Sequence, residues 1–459
     1  MIAPVPGSVA DTSPHPPPPP ELPLPPTPWT WRFAIAVGVA AVGLAAYALH
    51  EMLDFQHQVL GYRIQAVAGI VCFLGLAALF SKSLQSVKWR TLVWGIGLQI
   101  TLAVAVIHVD WVQAGFEVVG SGIKALINAS DVGAKFVFGP LAEPSPFIFA
   151  FRALPPIIFV SSFFSVLYYL GILQLLVKLM ARVMMYLMGT SGAETLSVAA
   201  NVFMGQTEAP LIVKPFVPRM TRSELLALMS SGMAHISGGM MAVYISYGAD
   251  PVAILTTCVM ACPCSLYLTK LVLPEAGTPE TAGVAPIHAD THYVNVIDAA
   301  ATGVKDGLWL ALNVAAMLIG FLAFIALFDA ILGSIFPGTK LEYLFGRVFA
   351  PVAFLLGVDV GEVGKVGSLL GMKLAANEHV AYVHLTKYPE YADLSIHSRM
   401  LAVYALTGFA NFASVGIQLG GIGSIAPGRR ADLARLGMRA LFIGFLATLI
   451  NAAVAGVLM

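Results

Sequence analysis

Charge is what this chain of 459 residues has least of: Asp, Glu, Lys and Arg together make 11% of it, about half the share of an ordinary soluble domain. With 25 basic and 25 acidic residues the net charge is zero, and the basic excess that a nucleic-acid partner demands is missing. Only four cysteines occur, Cys72, Cys258, Cys262 and Cys264, all inside apolar segments, which excludes a disulfide framework of the secreted kind. No GxxxxGK[ST] loop is present to cradle ATP phosphates, and no GxSxG elbow to present a nucleophilic serine. No constellation of side chains supports an enzyme.

Apolar residues are what the chain has in excess. They make 58% of it, and the mean hydropathy is +0.82. The expectation is an all-α membrane protein with several spans, in the plasma membrane, which for a bacterium is the inner membrane. Twelve of the 29 prolines precede Trp29, five of them as the run PPPPP at 16–20. Such a segment samples polyproline II and packs no core, so residues 1–28 read as a disordered tail. No basic stretch leads into an apolar one there, so it does not read as a signal peptide.

Crossing about 30 Å of hydrocarbon takes roughly 20 apolar residues. Nine runs qualify, at 33–50, 63–81, 91–109, 154–177, 224–247, 252–273, 305–329, 400–425 and 436–458. Lys82, Lys88 and Arg90 follow the second run, and Arg429, Arg430, Arg435 and Arg439 separate the last two. Placing both clusters in the cytoplasm gives an internal N-terminus. In 112–127, Val112, Phe116, Val119, Ile123 and Ile127 recur at three- and four-residue spacing, the pattern of an amphipathic helix lying in the interface.

Two further regions, 192–217 and 361–388, are apolar at their ends and polar in the middle. One carries NVFMGQTEAP and the other GMKLAANEHVAY. Each precedes a span studded with small and polar residues, GMAHISGGMMA at 232–242 and GFANFASVG at 408–416. The chain thus reads as inverted-repeat-like halves, each with a re-entrant hairpin and a polar helix. Non-helical backbone survives at membrane depth only when buried or lining a wet cavity, and matched breaks in two halves point to a transporter's binding site. The expected organisation is N-terminal spans in 29–110, an interfacial and a scaffold helix in 111–190, and the first hairpin with its helices in 191–273. A loop and scaffold helix follow in 274–344, and the second hairpin with the last helices in 345–459.

Glu208 and Glu378 are the sharpest signals, since a carboxylate at the bilayer centre costs about 2.5–3.5 kcal/mol on the gentlest scale. The bland reading pairs them with Lys214 and Lys373. Asn201, Gln206, Thr207, Asn411 and Ser414 add neutral donors and acceptors, which more often join helices than bind ligands. Asn411 and Ser414 share one helix face with Phe409 just before, an arrangement suited to a sugar and a flat ring. The set C-x-x-x-C-P-C at 258–264 raises soft-metal transport as a rival, but apolar packing explains it more simply. His288 and His292 receive no role.

The stretches GQTEAP at 205–210, GMKLAANEHVAY at 371–382 and GFANFAS at 408–414 resemble the concentrative nucleoside transporter family, as do VLYYLGILQ, NVIDAAA and LGGIGSIAPGRR. The likeness runs from about residue 90 to the C-terminus. It implies a homotrimer in which a transport domain slides past a scaffold, importing nucleoside with sodium or protons and no other cofactor. Carried over by motif, Gln206, Thr207 and Glu208 face the base. Glu378, Asn411 and Ser414 hold the ribose, and Phe409 and Met240 wall the pocket. The sodium site maps to the Asn201 side chain and the carbonyls of Met204, His235 and Ile236. His379, His235 and Met240 depart from the family pattern, and His235 beside the cation site keeps proton coupling open. The same features leave room for another small polar solute, such as a nucleobase.

Overall fold

A computed structural model describes residues 20–52, 58–143, 148–283 and 293–459. Among these residues the chain is helical throughout, with one isolated antiparallel bridge between Ser191 and Ala282. Most of the expected tail, and both His288 and His292, lie outside the described residues. Residues 20–28 are held in place. The Thr27 N–H and hydroxyl bond the Lys82 and Ser81 carbonyls, Leu22 N–H bonds the Ala276 carbonyl, and Glu21 accepts the Arg222 N–H.

Eight helices are long and apolar enough to cross a membrane: Trp29–Met52, Val59–Leu79, Trp89–His108, Phe149–Tyr169, Arg222–Ser246, Pro251–Val272, Val296–Ile335 and Pro427–Leu458. Their burial divides them. The apolar stretch of Arg222–Ser246 is wholly inside, and that of Val296–Ile335 is only 11% buried. The first belongs to the interior that carries the polar breaks; the second presents an apolar outer wall.

The eighth expected span, 400–425, is two shorter helices, Ile396–Leu406 and Phe412–Ile425. Hydropathy averages across the interruption, but the backbone turns at Gly408, with φ +149°. A Cβ there would stand 2.6 Å from the Thr448 methyl, so this position needs glycine. The span expected at 154–177 ends at Tyr169, where Gly171 at φ +79° starts a separate helix, Ile172–Met188. The loop expected to reach 304 stops early. The Asn295 side chain accepts the Asp298 N–H and starts the 40-residue helix Val296–Ile335. The amphipathic segment lies in the helix Asp110–Phe138, which buries Gly120, Ile123, Ser130 and Ala134 along one side and leaves Val119 outside.

Each half contains a helix, a polar break and a second helix, followed by another broken helix. In the first half Gly192–Ala200 and Ala209–Ile212 flank 201–208, then Arg222–Ala234 and Gly238–Ser246 flank 235–237. In the second half Val363–Ala375 and Glu378–Lys387 flank 376–377, then Ile396–Leu406 and Phe412–Ile425 flank 407–411. Polar residues restart the helices: Ser237 caps Met240, Asn377 caps Val380 and Asn411 caps Ser414. The far end of the first half is pinned by buried Lys270, ion-paired to Glu194 at 2.7 Å and Glu275 at 3.1 Å.

Candidate functional site

The two halves meet at their breaks. The Phe409 N–H donates to the His235 carbonyl at 3.0 Å, tying the break at 407–411 to that at 235–237. From this junction a chain of hydrogen bonds runs through the interior. The Tyr244 hydroxyl donates to Glu378 Oε1 at 2.9 Å, and Asn411 Nδ2 donates to Glu378 Oε2 at 2.9 Å. Asn411 Oδ1 accepts the Ser414 N–H, and the Ser414 hydroxyl accepts from Gln206 Nε2 at 3.2 Å. Gln206 Oε1 in turn accepts from Gln418 Nε2 at 3.1 Å, and Gln418 also donates to the Met229 carbonyl. Gln206, Glu378, Asn411 and Ser414 are thus brought together from both halves, all buried.

Glu208 stands apart from this chain. Its Oε2 accepts the Gly205 N–H at 2.8 Å. The carboxylate opens into a cavity of about 410 Å³, within the size range of small-molecule sites. Phe203, Met204 and Ser237 of the breaks line it together with Ser161, Ser165, Tyr293 and Asp306. Lys214 shares the cavity without an ion pair to Glu208 among the described residues. Of the expected substrate residues, only Glu208 lines this space. Thr207 packs toward Gly421, where an added Cβ would meet its Cγ2 at 2.6 Å. Met240 is buried and Phe409 half-buried, neither on the cavity wall.

Of the residues mapped to a cation, Asn201 and His235 meet around Ser231 beside the junction. Asn201 Nδ2 donates to the Ser231 hydroxyl at 3.0 Å and the Ser197 carbonyl at 3.2 Å. Its Oδ1 is buried with no partner, and so is the Ser197 hydroxyl. A buried oxygen without a donor is costly, and a hard cation satisfies it. The His235 ring turns away: Nδ1 donates to the Ser231 carbonyl at 2.8 Å, and Nε2 faces Cys262 Sγ at 3.4 Å. His379 bonds the Tyr247 hydroxyl at 3.0 Å and meets Phe149 edge-on.

Three residues were missing from the sequence expectation, two of the network and one of the cavity wall. Tyr244 sits in an apolar run, GGMMAVYIS, and reads there as a core aromatic. Gln418 had a usable signal, lying four residues beyond Ser414 on the same helix face. Asp306 lies on the outer helix, distant in sequence from every break.

Comparison with known proteins decides what this arrangement belongs to. Three family profiles match consecutive parts of the chain: Na+ dependent nucleoside transporter N-terminus at 68–141, nucleoside recognition at 150–251, and Na+ dependent nucleoside transporter C-terminus at 253–456. An uncharacterized transporter of Haemophilus influenzae is 40% identical over 409 residues, 86% of this chain and 97% of that protein. The chain belongs to the concentrative, sodium-dependent nucleoside transporter family. The match begins earlier than the sequence motifs indicated, inside the second span. Human sodium/nucleoside cotransporter 1 is 38% identical over 86% of this chain, which spans 64% of that longer protein. The solved structure of CNTnw in an inward-facing substrate-bound state superposes with a TM-score of 0.82 at 36% identity, covering 87% of this chain and 98% of that one. Members of this family are multi-pass membrane transporters, not enzymes, and bacterial relatives point to the inner membrane.

Proposed function

We propose that this chain imports nucleosides across the inner membrane, driven by an inward gradient of sodium. The observation that carries the reading is the pair of bonds from Tyr244 and Asn411 to Glu378, joined through Ser414 to Gln206 of the other half. A buried carboxylate held by neutral donors can exchange one of them for a ribose hydroxyl and keep a charge-assisted bond. A ligand without those hydroxyls leaves it underpaired, which is the basis of selectivity. Gln206, Thr207 and Glu208 then serve the base, with Phe409 and Met240 closing the site.

Sodium is favoured by the orphaned oxygens of Asn201 and Ser197, with the Met204, His235 and Ile236 carbonyls completing the ligand set. The rival proton reading rests on the His235 ring, but both its nitrogens already face partners, Ser231 and Cys262. One positive charge gains about 2.3 kcal/mol per 100 mV, enough for roughly 40-fold accumulation of a neutral nucleoside.

Movement is of the elevator type, with 191–273 and 345–459 sliding past a scaffold of the remaining helices. One relative, CNTnw, is solved in an inward-facing state and, as a double variant, in an outward-facing one, at TM-scores of 0.82 and 0.81. The proposal includes a homotrimer, for which the bare apolar wall of Val296–Ile335, with Trp309, Ile319 and Phe324 more than half exposed, offers a surface. The test is uridine uptake into reconstituted vesicles with sodium and pH gradients imposed separately. Uptake driven by sodium at constant pH supports the reading. Uptake driven by a pH gradient alone moves the coupling to protons. Competition by free uracil equal to that by uridine turns the assignment to a nucleobase.

A further inference from the structure

Two lysines are buried among the described residues, and they are solvated in opposite ways. Lys270 has the ordinary arrangement, with carboxylates on Glu194 and Glu275. Lys373 has none. Among the described residues no carboxylate lies within ion-pairing distance of its fully buried ammonium. Its Nζ donates instead to the Ala405 carbonyl at 2.7 Å and the Thr448 hydroxyl at 2.8 Å, and it lies 5.6 Å from the centre of the Phe445 ring. A carbonyl, a hydroxyl and a π-face are the shell a protein builds around a free monovalent cation.

The location repeats the first half. Lys373 is in the last turn of Val363–Ala375, and Ala405 is in the last turn of Ile396–Leu406. Two helix C-termini, each carrying partial negative charge, therefore converge on one ammonium. In the first half the corresponding ends are the C-cap Asn201 of Gly192–Ala200 and the C-cap His235 of Arg222–Ala234. There the meeting point holds no side-chain cation. It holds the unpartnered oxygens of Asn201 and Ser197.

We propose that the ammonium of Lys373 is a tethered cation, holding the second pair of broken helices together as the mobile coupling cation holds the first. It is a positioning residue. Through Ala405 and Thr448 it fixes the break at 407–411, which carries Phe409 and Asn411. Gly408 packs against the same Thr448. Because the second position is filled permanently, the chain loads its coupling cation only in the first half. This rests on the reading of the protein as a cation-coupled nucleoside importer.

The test uses the full chain in reconstituted vesicles, measuring uridine uptake against sodium concentration. The wild type should show a Hill coefficient of about one. Lys373→Ala vacates the cage and should lower uptake at limiting sodium about ten-fold or more. High sodium or added methylammonium should restore part of it, with a sodium Hill coefficient approaching two. Lys373→Met fills the space without charge and should show no such recovery. Thr448→Val keeps the lysine but removes one acceptor, and should raise the uridine KM about three-fold while leaving the sodium curve in place. This last variant also carries the test should Lys373→Ala fail to reach the membrane. Wild-type kinetics in Lys373→Met, or a folded Lys373→Ala that no cation restores, overturns the proposal. So does an unchanged KM in Thr448→Val. Absence of uridine uptake by the wild type itself defeats the importer reading instead.

Discussion

At the first pair of breaks, buried oxygens on Asn201 and Ser197 face inward with nothing to bond; at the second, the Glu378 carboxylate is held on both oxygens and the Lys373 ammonium by two acceptors. The backbone does the same thing in both places. Helices stop short, a polar residue restarts them, and carbonyls are freed. The side chains differ: one pair of breaks leaves buried oxygens without partners, and the other pairs its charged groups. On the proposed reading, a pseudo-symmetric scaffold would support an asymmetric task, loading an ion on one side and anchoring a sugar on the other.

The most damaging way to test this division is Glu378→Gln. It removes the charge that Tyr244 and Asn411 converge on, and uridine uptake should fall about 100-fold or more. Surface labelling should show normal insertion. Wild-type uptake by this variant would remove the second half from substrate binding. A paired measurement sharpens the contrast. Asn201→Leu should raise the sodium concentration for half-maximal uptake about ten-fold and shift the uridine KM less. Asn411→Leu should do the reverse. Equal shifts of both parameters in both variants would mean that the halves do not divide the work.

Glycines supply a smaller contrast. Gly408→Ala meets both a positive φ and the Thr448 methyl, and should destabilise the protein by about 2 kcal/mol, read as a lowered thermal midpoint. Gly205→Ala in the first half should be tolerated, since its Cβ would meet only the Glu208 carboxylate at an ordinary 3.5 Å. The smallest effect belongs to the cysteines. Cys264 Sγ bonds the Tyr267 hydroxyl and Cys262 faces His235, both wholly inside. Cys262→Ala and Cys264→Ala should leave copper and zinc tolerance unchanged and uptake within about two-fold. A shift in metal tolerance would revive the soft-metal alternative.

Much of this organisation was legible from residue chemistry. Polar residues in apolar runs marked two of the four breaks, 201–208 and 376–377, because a bare carboxylate or amide in hydrocarbon has no other economical explanation, whereas 235–237 and 407–411 interrupt runs expected as continuous spans. The members of the network were visible for the same reason. Their partners were not, since Tyr244 and Lys373 take their roles from tertiary contacts. Sequence proximity linked Lys373 to Glu378, whereas the fold sends its ammonium to the end of a different helix. Boundaries failed where a single glycine overrides hydropathy, as at Gly171 and Gly408. The wall of the cavity was hidden too, because Asp306 lies on a long helix that is apolar over most of its length.

The docking of residues 20–28 has a practical corollary for anyone shortening this polypeptide. Glu21 accepts the amide that begins Arg222–Ala234, and the Thr27 hydroxyl both donates to the Ser81 carbonyl and accepts the Leu84 N–H. Cutting at Trp29 would therefore strip a clasp from the interior helix Arg222–Ala234.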